Sequence, residues 1–325
     1  MNTKEKVIQI LYSAGKEEIS GEEIAKLLNV TRNSVWKAVN ALKKNGYDIS
    51  SSPNGYSLNN KAEVFSRDSI IKHLQRDIDL IFYEQVDSTN NVAKMLAQDG
   101  KGEGTVVVAK SQTSGKGRMG RSFISSSKNG LYLTIVLKPA IPVHKCVNIT
   151  VLGAVALCEA IEKIGLTECR IKWVNDIYIN EKKVSGILTE AAIDFESGRL
   201  QYAVIGMGIN VSTPIGGFDP EIKDIATAIF EKEPQGELKS RLCAEIIDRF
   251  FYHYGKIEKM EYLDKYREKS MIINEMVDVL TGDKVISGRA IDIDENANLV
   301  IDTGKEIIKF NSGEARVRKN EKNEN

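Results

Sequence analysis

The stretch 106-VVVAKSQTSGKGRMGRSF-123 places three glycines, Gly115, Gly117 and Gly120, among three cations, Lys116, Arg118 and Arg121, directly after an apolar run. Glycine lets backbone amides come close to an anion, and arginine adds planar, permanently charged donors that match phosphate and carboxylate oxygens. The spacing G-x-G-x-x-G is also that of dinucleotide-binding loops. Such a loop must open a helix, so that a pyrophosphate meets the helix N-terminus. Here the glycines run into RSFISSSKNGLYLTIVL, which reads as serines, Asn129-Gly130 and then a strand. No acidic residue stands at a strand end about 20 positions on, where a ribose would need one. The dinucleotide spelling is therefore coincidental. What remains is a cationic flap, expected to be mobile when empty and to order around an anion. A solvated basic surface loop has the same composition.

Other groups of residues could act with this loop. Ser88, Thr89 and Asn90 open a helical pattern, where they either cap the helix or offer hydroxyls and an amide to a ligand. Asp176 closes the strand pattern RIKWVND, and Lys183 comes after the turn Asn180-Glu181 on a strand beside Gly186. Asn210 ends the run GMGIN. The histidines (His73, His144, His253) and cysteines (Cys146, Cys158, Cys169, Cys243) are scattered, with no CxxC and no evident nucleophile–base arrangement. The pattern favours chemistry done by fixed charges over chemistry done by a protein nucleophile or zinc.

The elements that must position these residues fall into three segments. A length of 325 residues suits two or three domains. Lys plus Arg equals Asp plus Glu, 45 each, so overall charge selects no partner and only local clusters can. No apolar run approaches the roughly 20 residues needed to span a bilayer. The N-terminus lacks a signal-peptide core, and the thiol usage fits a reduced, cytoplasmic setting. No membrane association is expected.

Residues 1–62 read as a winged helix-turn-helix. Val7, Ile10 and Leu11 mark one helical face. Ser20 and Glu23 have capping-box spacing before a stripe of Ile24, Leu27 and Leu28. Asn29-Val30 breaks the chain, and Thr31 caps a helix that buries Val35, Ala38, Val39 and Leu42 and stops at Asn45-Gly46. Pro53-Asn54-Gly55 then turns a hairpin, the wing. The stretch TRNSVWKAVNALKKNG carries four cations and no acid. Its start, with Thr31, Arg32, Asn33 and Ser34, and Lys37 beyond, suits a DNA major groove, the helix-turn-helix covering about residues 21–40. Trp36 either contacts DNA or packs on the wing.

Residues 63–270, which begin within a polar connector at 59–68, mix strand and helix patterns in an order that predicts an α+β domain with a mixed or largely antiparallel sheet. Residues 271–325 show four or five short strands with glycine and Asx turns, an SH3-like β-barrel, and end in the charged tail KNEKNEN, expected to be disordered.

Five motifs, D-S-T-N (87–90), S-G-K-G-R-M-G-R (114–121), K-W-V-N-D (172–176), K-V-S-G-I-L (183–188) and G-M-G-I-N (206–210), together resemble the biotin–protein ligases. With both flanking domains, the resemblance is to a bifunctional ligase and biotin-operon repressor. It implies a catalytic domain of the class II aminoacyl-tRNA synthetase and biotin synthetase-like kind, and biotin and ATP as substrates with Mg²⁺. The carboxylate of biotin would attack the α-phosphate of ATP, and a lysine of a biotin carboxyl carrier protein would then take the biotinyl group. By the same resemblance, Ser88, Thr89, Asn90 and Gln112 would hold the ureido head of biotin. Lys116, Gly117 and Arg118 would close over the adenylate. Lys183 would bridge carboxylate and phosphate, Asp176 would hold Mg²⁺ or accept the incoming lysine's proton, and Asn210 would contact adenylate or metal. Residues 212–226 would fold over the adenine, with Phe218 stacking. With the adenylate bound, a homodimer would bind operator DNA. The family's usual proline is Val174 here, its usual tryptophan is Phe123, and its frequent arginine is Lys116. Two other readings share features with this one: a lipoate–protein ligase, and a biotin-sensing regulator whose ligase domain has decayed.

Overall fold

The computed structural model describes residues 3–14, 17–44, 47–59, 63–125, 129–164, 167–194, 196, 198–282 and 284–318. The expected helix stop at Asn45-Gly46 and the charged tail lie outside these. The chain forms two compact units. One comprises Met1–Leu74 with Lys232–Ala244, the other Gln75–Glu231 with Glu245–Asn325.

In the first unit, helices α1 (Thr3–Ala14), α2 (Gly21–Leu28) and α3 (Arg32–Lys44) precede the antiparallel hairpin β1 (Ile49–Ser52) and β2 (Gly55–Leu58). Ser20 Oγ accepts the Glu23 amide at 3.1 Å, and α2 ends on Asn29 in the left-handed region, a conformation asparagine tolerates. Thr31 Oγ1 accepts the Ser34 amide at 3.1 Å, so the predicted cap starts α3. Val7, Leu11, Ile24, Val35, Val39 and Leu42 form the core with Ile49 and Leu58 of the wing. Leu27 departs from the expected stripe and is 63% exposed. The short α2 lays Ile24, Ala25 and Leu28 against its neighbours, and Leu27 lies to one side of them. Gly55 is required by close approach. A Cβ there would lie 2.3 Å from the Ile19 carbonyl oxygen, where Ile19 and Tyr56 exchange backbone hydrogen bonds. The polar connector is shorter than its composition suggested. Val64 and Phe65 are buried, and Ser66 and Ser69 form a capping box that starts α4 (Arg67–His73).

The second unit is built on a seven-stranded sheet of order β3-β4-β5-β9-β8-β7-β6. Its strands are β3 (Leu80–Tyr83), β4 (Val106–Ala109), β5 (Gly130–Leu137), β6 (Arg170–Lys172), β7 (Asp176–Ile179), β8 (Lys182–Ile193) and β9 (Leu200–Asn210). Only β3 and β4 pair in parallel, joined through helix α5 (Thr89–Gln98); every other pairing is antiparallel, giving the mixed sheet expected. Helix α6 (Val147–Lys163) is buried against the sheet. A Cβ on Gly153 would stand 2.6 Å from Ile205 Cδ1, so this glycine sets how closely helix and sheet approach. Contrary to the expectation that no apolar run approaches that length, the stretch Val143–Lys163 is long and apolar enough to cross a membrane by length and composition, and 72% of that window is buried within the protein. Helices α7 (Leu238–Tyr254) and α8 (Glu261–Lys269) come next.

Strands β10 (Met276–Thr281), β11 (Lys284–Ile293), β12 (Leu299–Asp302), β13 (Ile307–Phe310) and β14 (Glu314–Val317) make a separate antiparallel sheet of order β13-β12-β11-β10-β14. It is tied to the larger sheet by Trp173, buried between β6 and β7, whose indole Nε1 donates to the Ala297 carbonyl at 3.0 Å.

Candidate functional site

Two glycine-containing register pairs of neighbouring strands lay the floor of a cleft. Gly186 of β8 faces Gly208 of β9, and Leu188 faces Gly206. Side chains from elsewhere occupy the space these glycines leave. A Cβ on Gly206 would lie 1.9 Å from Asn90 Oδ1, and one on Gly208 would lie 2.7 Å from Phe123 Cε1. The absence of side chains on the floor therefore lets Asn90 and Phe123 lie directly on the sheet. The cleft encloses about 480 Å³, part of it open to solvent.

At one end the start of α5 brings polar groups together under burial. Ser88, Thr89, Asn90 and Gln112 are each less than a tenth exposed. Gln112 Oε1 accepts from the Thr89 amide at 2.8 Å and from Thr89 Oγ1 at 3.1 Å. Thr134, in the middle of apolar β5, donates across the sheet to Asn90 Oδ1 at 2.7 Å. Asn90 Nδ2 donates to Glu190 at 2.8 Å, and Lys94 donates to the same carboxylate at 2.7 Å. Burial opposes the charged form of Glu190, but hydrogen bonds from Lys94 and Asn90 outweigh it and hold its carboxyl below the usual range. The alternative role of helix cap is not taken: Ser88 occupies the cap position without a side-chain cap bond. A buried set of oriented hydroxyls and amides suits an uncharged polar ligand group that needs both donors and acceptors.

The flap covers the other end. Gly117 donates its amide to Arg121 O at 2.7 Å, and Phe123 donates to Gly115 O at 2.9 Å, which folds residues 115–123 back on themselves. Each cation has a protein acceptor: Lys116 Nζ on Asn91 Oδ1 at 2.6 Å, Arg118 Nη1 on Asn175 Oδ1 at 3.0 Å, and Arg121 Nη2 on Glu314 Oε2 at 2.6 Å. The Arg121 guanidinium in turn holds the Glu314 carboxyl below the usual range. Asn175 is itself fixed by donating Nδ2 to the Ile187 carbonyl at 2.9 Å. It presents Arg118 to the cleft, a role that its place in the motif did not reveal.

Lys183 completes the cationic rim. Asn180 and Glu181, both in the left-handed region, make the tight turn that starts β8. The Lys183 backbone is pinned on both sides, its amide to Ile225 O and its carbonyl to Thr227 N, each at 2.8 Å. Its Nζ stands 2.8 Å from Asp176 Oδ1, and that buried oxygen accepts no hydrogen bond of regular geometry. Asp176 begins β7 and does not end β6: Trp173, Val174 and Asn175 form the turn between them, and the Trp173–Val174 peptide is cis.

Eight predicted residues thus line one cleft: Ser88, Thr89, Asn90, Gln112, Lys116, Gly117, Arg118 and Lys183. Asp176 stands beside it through Lys183. Asn210 lines a neighbouring cavity of about 620 Å³ at the end of β9, together with Pro214, Gly217 and Phe218 of the segment expected to act as a lid. Asn210 Nδ2 there donates to Thr227 O at 3.0 Å. Among the described residues no group of three or more His, Cys, Asp or Glu converges as a metal site.

In the first unit, Thr31, Arg32, Asn33, Trp36 and Lys37 are exposed on α3, and Ser34 is half-buried. Thr31 Oγ1 and Ser34 Oγ lie 2.9 Å apart at the cap, so these hydroxyls are already engaged with each other.

Comparison with known proteins gives the class first. A helix-turn-helix domain model matches residues 3–57, the biotin/lipoate A/B protein ligase family matches 82–210, and the biotin protein ligase C-terminal domain matches 272–318. The biotin protein ligase from Aquifex aeolicus, solved in complex with biotin and ATP, superimposes with a TM-score of 0.62 at 30% identity, covering 74% of this chain and 98% of that one. The bifunctional ligase/repressor BirA of Bacillus subtilis is 34% identical over 95% of this chain and 96% of its own length, and that of Escherichia coli is 26% identical over 98% of each. The chain belongs to the biotin protein ligase family, among the members that carry an N-terminal helix-turn-helix domain.

Proposed function

We propose that the protein activates biotin with ATP as biotinyl-5′-AMP and transfers it to a lysine of a biotin carboxyl carrier protein. With the adenylate retained, it acts as a homodimeric, DNA-binding repressor of biotin synthesis and transport genes. The observation that carries the catalytic half is the cleft itself: a buried, uncharged polar end and a cationic end over a glycine floor on which Asn90 and Phe123 lie. That polarity matches a ligand with a ureido head, an apolar chain and a carboxylate tail.

In the first step a biotin carboxylate oxygen attacks the α-phosphorus and the bond to pyrophosphate breaks. Negative charge builds between the two reactants, within reach of Lys183 Nζ, while Lys116 and Arg118 neutralise the phosphate. In the second step the acceptor amine attacks the anhydride carbonyl carbon, AMP departs and the amine loses a proton. Asp176 is positioned through Lys183 to receive it or to order the lysine. Phe123 on the glycine floor and the folded flap exclude water from the anhydride. An all-protein cage is not what Mg²⁺ needs: it usually rides on substrate phosphates with one or two carboxylates. Asp176 Oδ1, which faces Lys183 but accepts no hydrogen bond of regular geometry, would hold such an ion, and the ion would supply charge neutralisation at the phosphates. Asn210 and Phe218 flank the cavity that best suits the adenine. We read the five-stranded sheet as an SH3-like barrel, and the central domain as related to class II synthetases.

ATP–pyrophosphate exchange measured with biotin, with lipoate and with neither tests this reading. Exchange with biotin alone is expected. Exchange with lipoate would make it a lipoate ligase, and none with either would leave a sensor. The repressor half predicts that biotin with ATP, but not biotin alone, tightens operator binding in a gel shift.

A further inference from the structure

The DNA-reading helix carries one residue that neither its core nor its charge accounts for. Trp36 is 54% exposed on α3, while Val35, Ala38, Val39 and Leu42 face the core. It is not among the partly buried hydrophobics packed against that core, which are Ile10, Ile19, Leu28, Val30 and Tyr56. Its indole has no aromatic or cation–π partner among the described residues. At helical spacing it shares a face with Arg32, Asn33, Asn40 and Lys43, Lys37 lies beside it at the next position, and no carboxylate stands anywhere on the helix. Exposing a large rigid aromatic costs solubility, and such a residue amid cations is most useful against a polyanion with apolar spots. In a major groove those spots are the thymine C5-methyl groups.

We propose that Trp36 reads sequence, its indole lying against thymine methyls of the operator, while Arg32 and Lys37 supply phosphate contacts that carry no sequence information. The capping bond between Thr31 and Ser34 leaves Asn33 and Trp36 as the groups free to meet base edges. This rests on the repressor reading above.

The full-length protein with biotin and ATP is used to select duplexes from a random pool. Each thymine of the selected site is then replaced by deoxyuridine, which removes only the methyl group. For wild type, at least one replacement should weaken binding about fourfold, the scale of one buried methyl. Trp36→Ala should bind the parent site more weakly, keep its affinity for unrelated DNA, and show no sensitivity at that position. The same titration has an optical readout. The chain has two tryptophans, and the other, Trp173, is buried. Operator should therefore shift and quench emission in wild type but not in Trp36→Phe. If wild type selects no sequence, the repressor reading fails and takes this proposal with it. If wild type selects a site and Trp36→Ala binds it equally well, or both proteins lose equally at every deoxyuridine, the proposal alone fails and Trp36 is left to a protein partner.

Discussion

Gly206→Ala is the substitution whose effect is set most directly by the geometry of the cleft. The added Cβ would stand 1.9 Å from Asn90 Oδ1 and 2.8 Å from Asn90 Cγ. Ordinary carbon contacts lie at about 3.5–4 Å, so the amide must move by more than an ångström. It then gives up the 2.8 Å bond to Glu190 and the 2.7 Å bond from Thr134, in a place where water does not replace them. An unsatisfied buried group costs about 1–3 kcal/mol. Carried into biotin binding, that corresponds to a KM raised by about 5- to 150-fold. The loss of glycine's unfolded-state freedom offsets only about 0.5–1 kcal/mol of that cost, so Tm should fall by a few degrees. Biotin-dependent ATP–pyrophosphate exchange measures the effect, with Gly102→Ala as the control, because nothing lies within 4 Å of a Cβ there. An unchanged biotin KM in a folded Gly206→Ala protein would refute the placement of the polar head at Asn90.

Three further outcomes are expected. Lys183→Ala should slow adenylation by about a hundredfold, the scale of losing one charge stabiliser, with biotin binding in calorimetry less affected. Arg118→Gly should still make the adenylate but release it, so that bystander lysines become labelled when acceptor is scarce; labelling confined to the acceptor would deny Arg118 the retaining role. Glu159 tests stability: it accepts from His253, Arg249 and Lys265 at 3.0, 3.1 and 2.5 Å, and although burial pushes its pKa up, the hydrogen bonds and charges of His253 and Lys265 hold it at about 2. Because the folded value lies below the ordinary 4.5, its contribution is complete above pH 4.5 and is lost as pH falls towards about 2. Glu159→Gln should cost about 1–2 kcal/mol at neutral pH, because Arg249 keeps Glu245 and Lys265 reaches solvent, and should flatten the acid limb of a Tm-versus-pH curve.

Helix spacing, caps and turns act over a few residues, so α2, α3 and the wing could be read from the chain. The glycine flap could be told apart from a dinucleotide loop because it leads into a strand and not a helix. Motif order made the cleft legible in the same way, residue by residue. Contacts between distant segments were not. Thr134 is a single hydroxyl inside an apolar strand, and only the register of β5 against α5 shows that it fixes Asn90. The glycines of GMGIN carried no local sign that Asn90 and Phe123 would lie on them. Trp173 looked like part of the reactive motif, yet its indole serves the small sheet through Ala297. Leu27, by contrast, obeyed the helical period and still faces solvent, because a period tells which residues share a face and not how wide a face the neighbours cover.

A crystal structure of the protein with biotin and ATP tests the account most directly. The ureido group should lie against Thr89, Asn90 and Gln112, the carboxylate-derived oxygen at Lys183, and residues 115–121 should be folded over the phosphate. Biotin bound elsewhere, or a flap turned away from the occupied cleft, would contradict it.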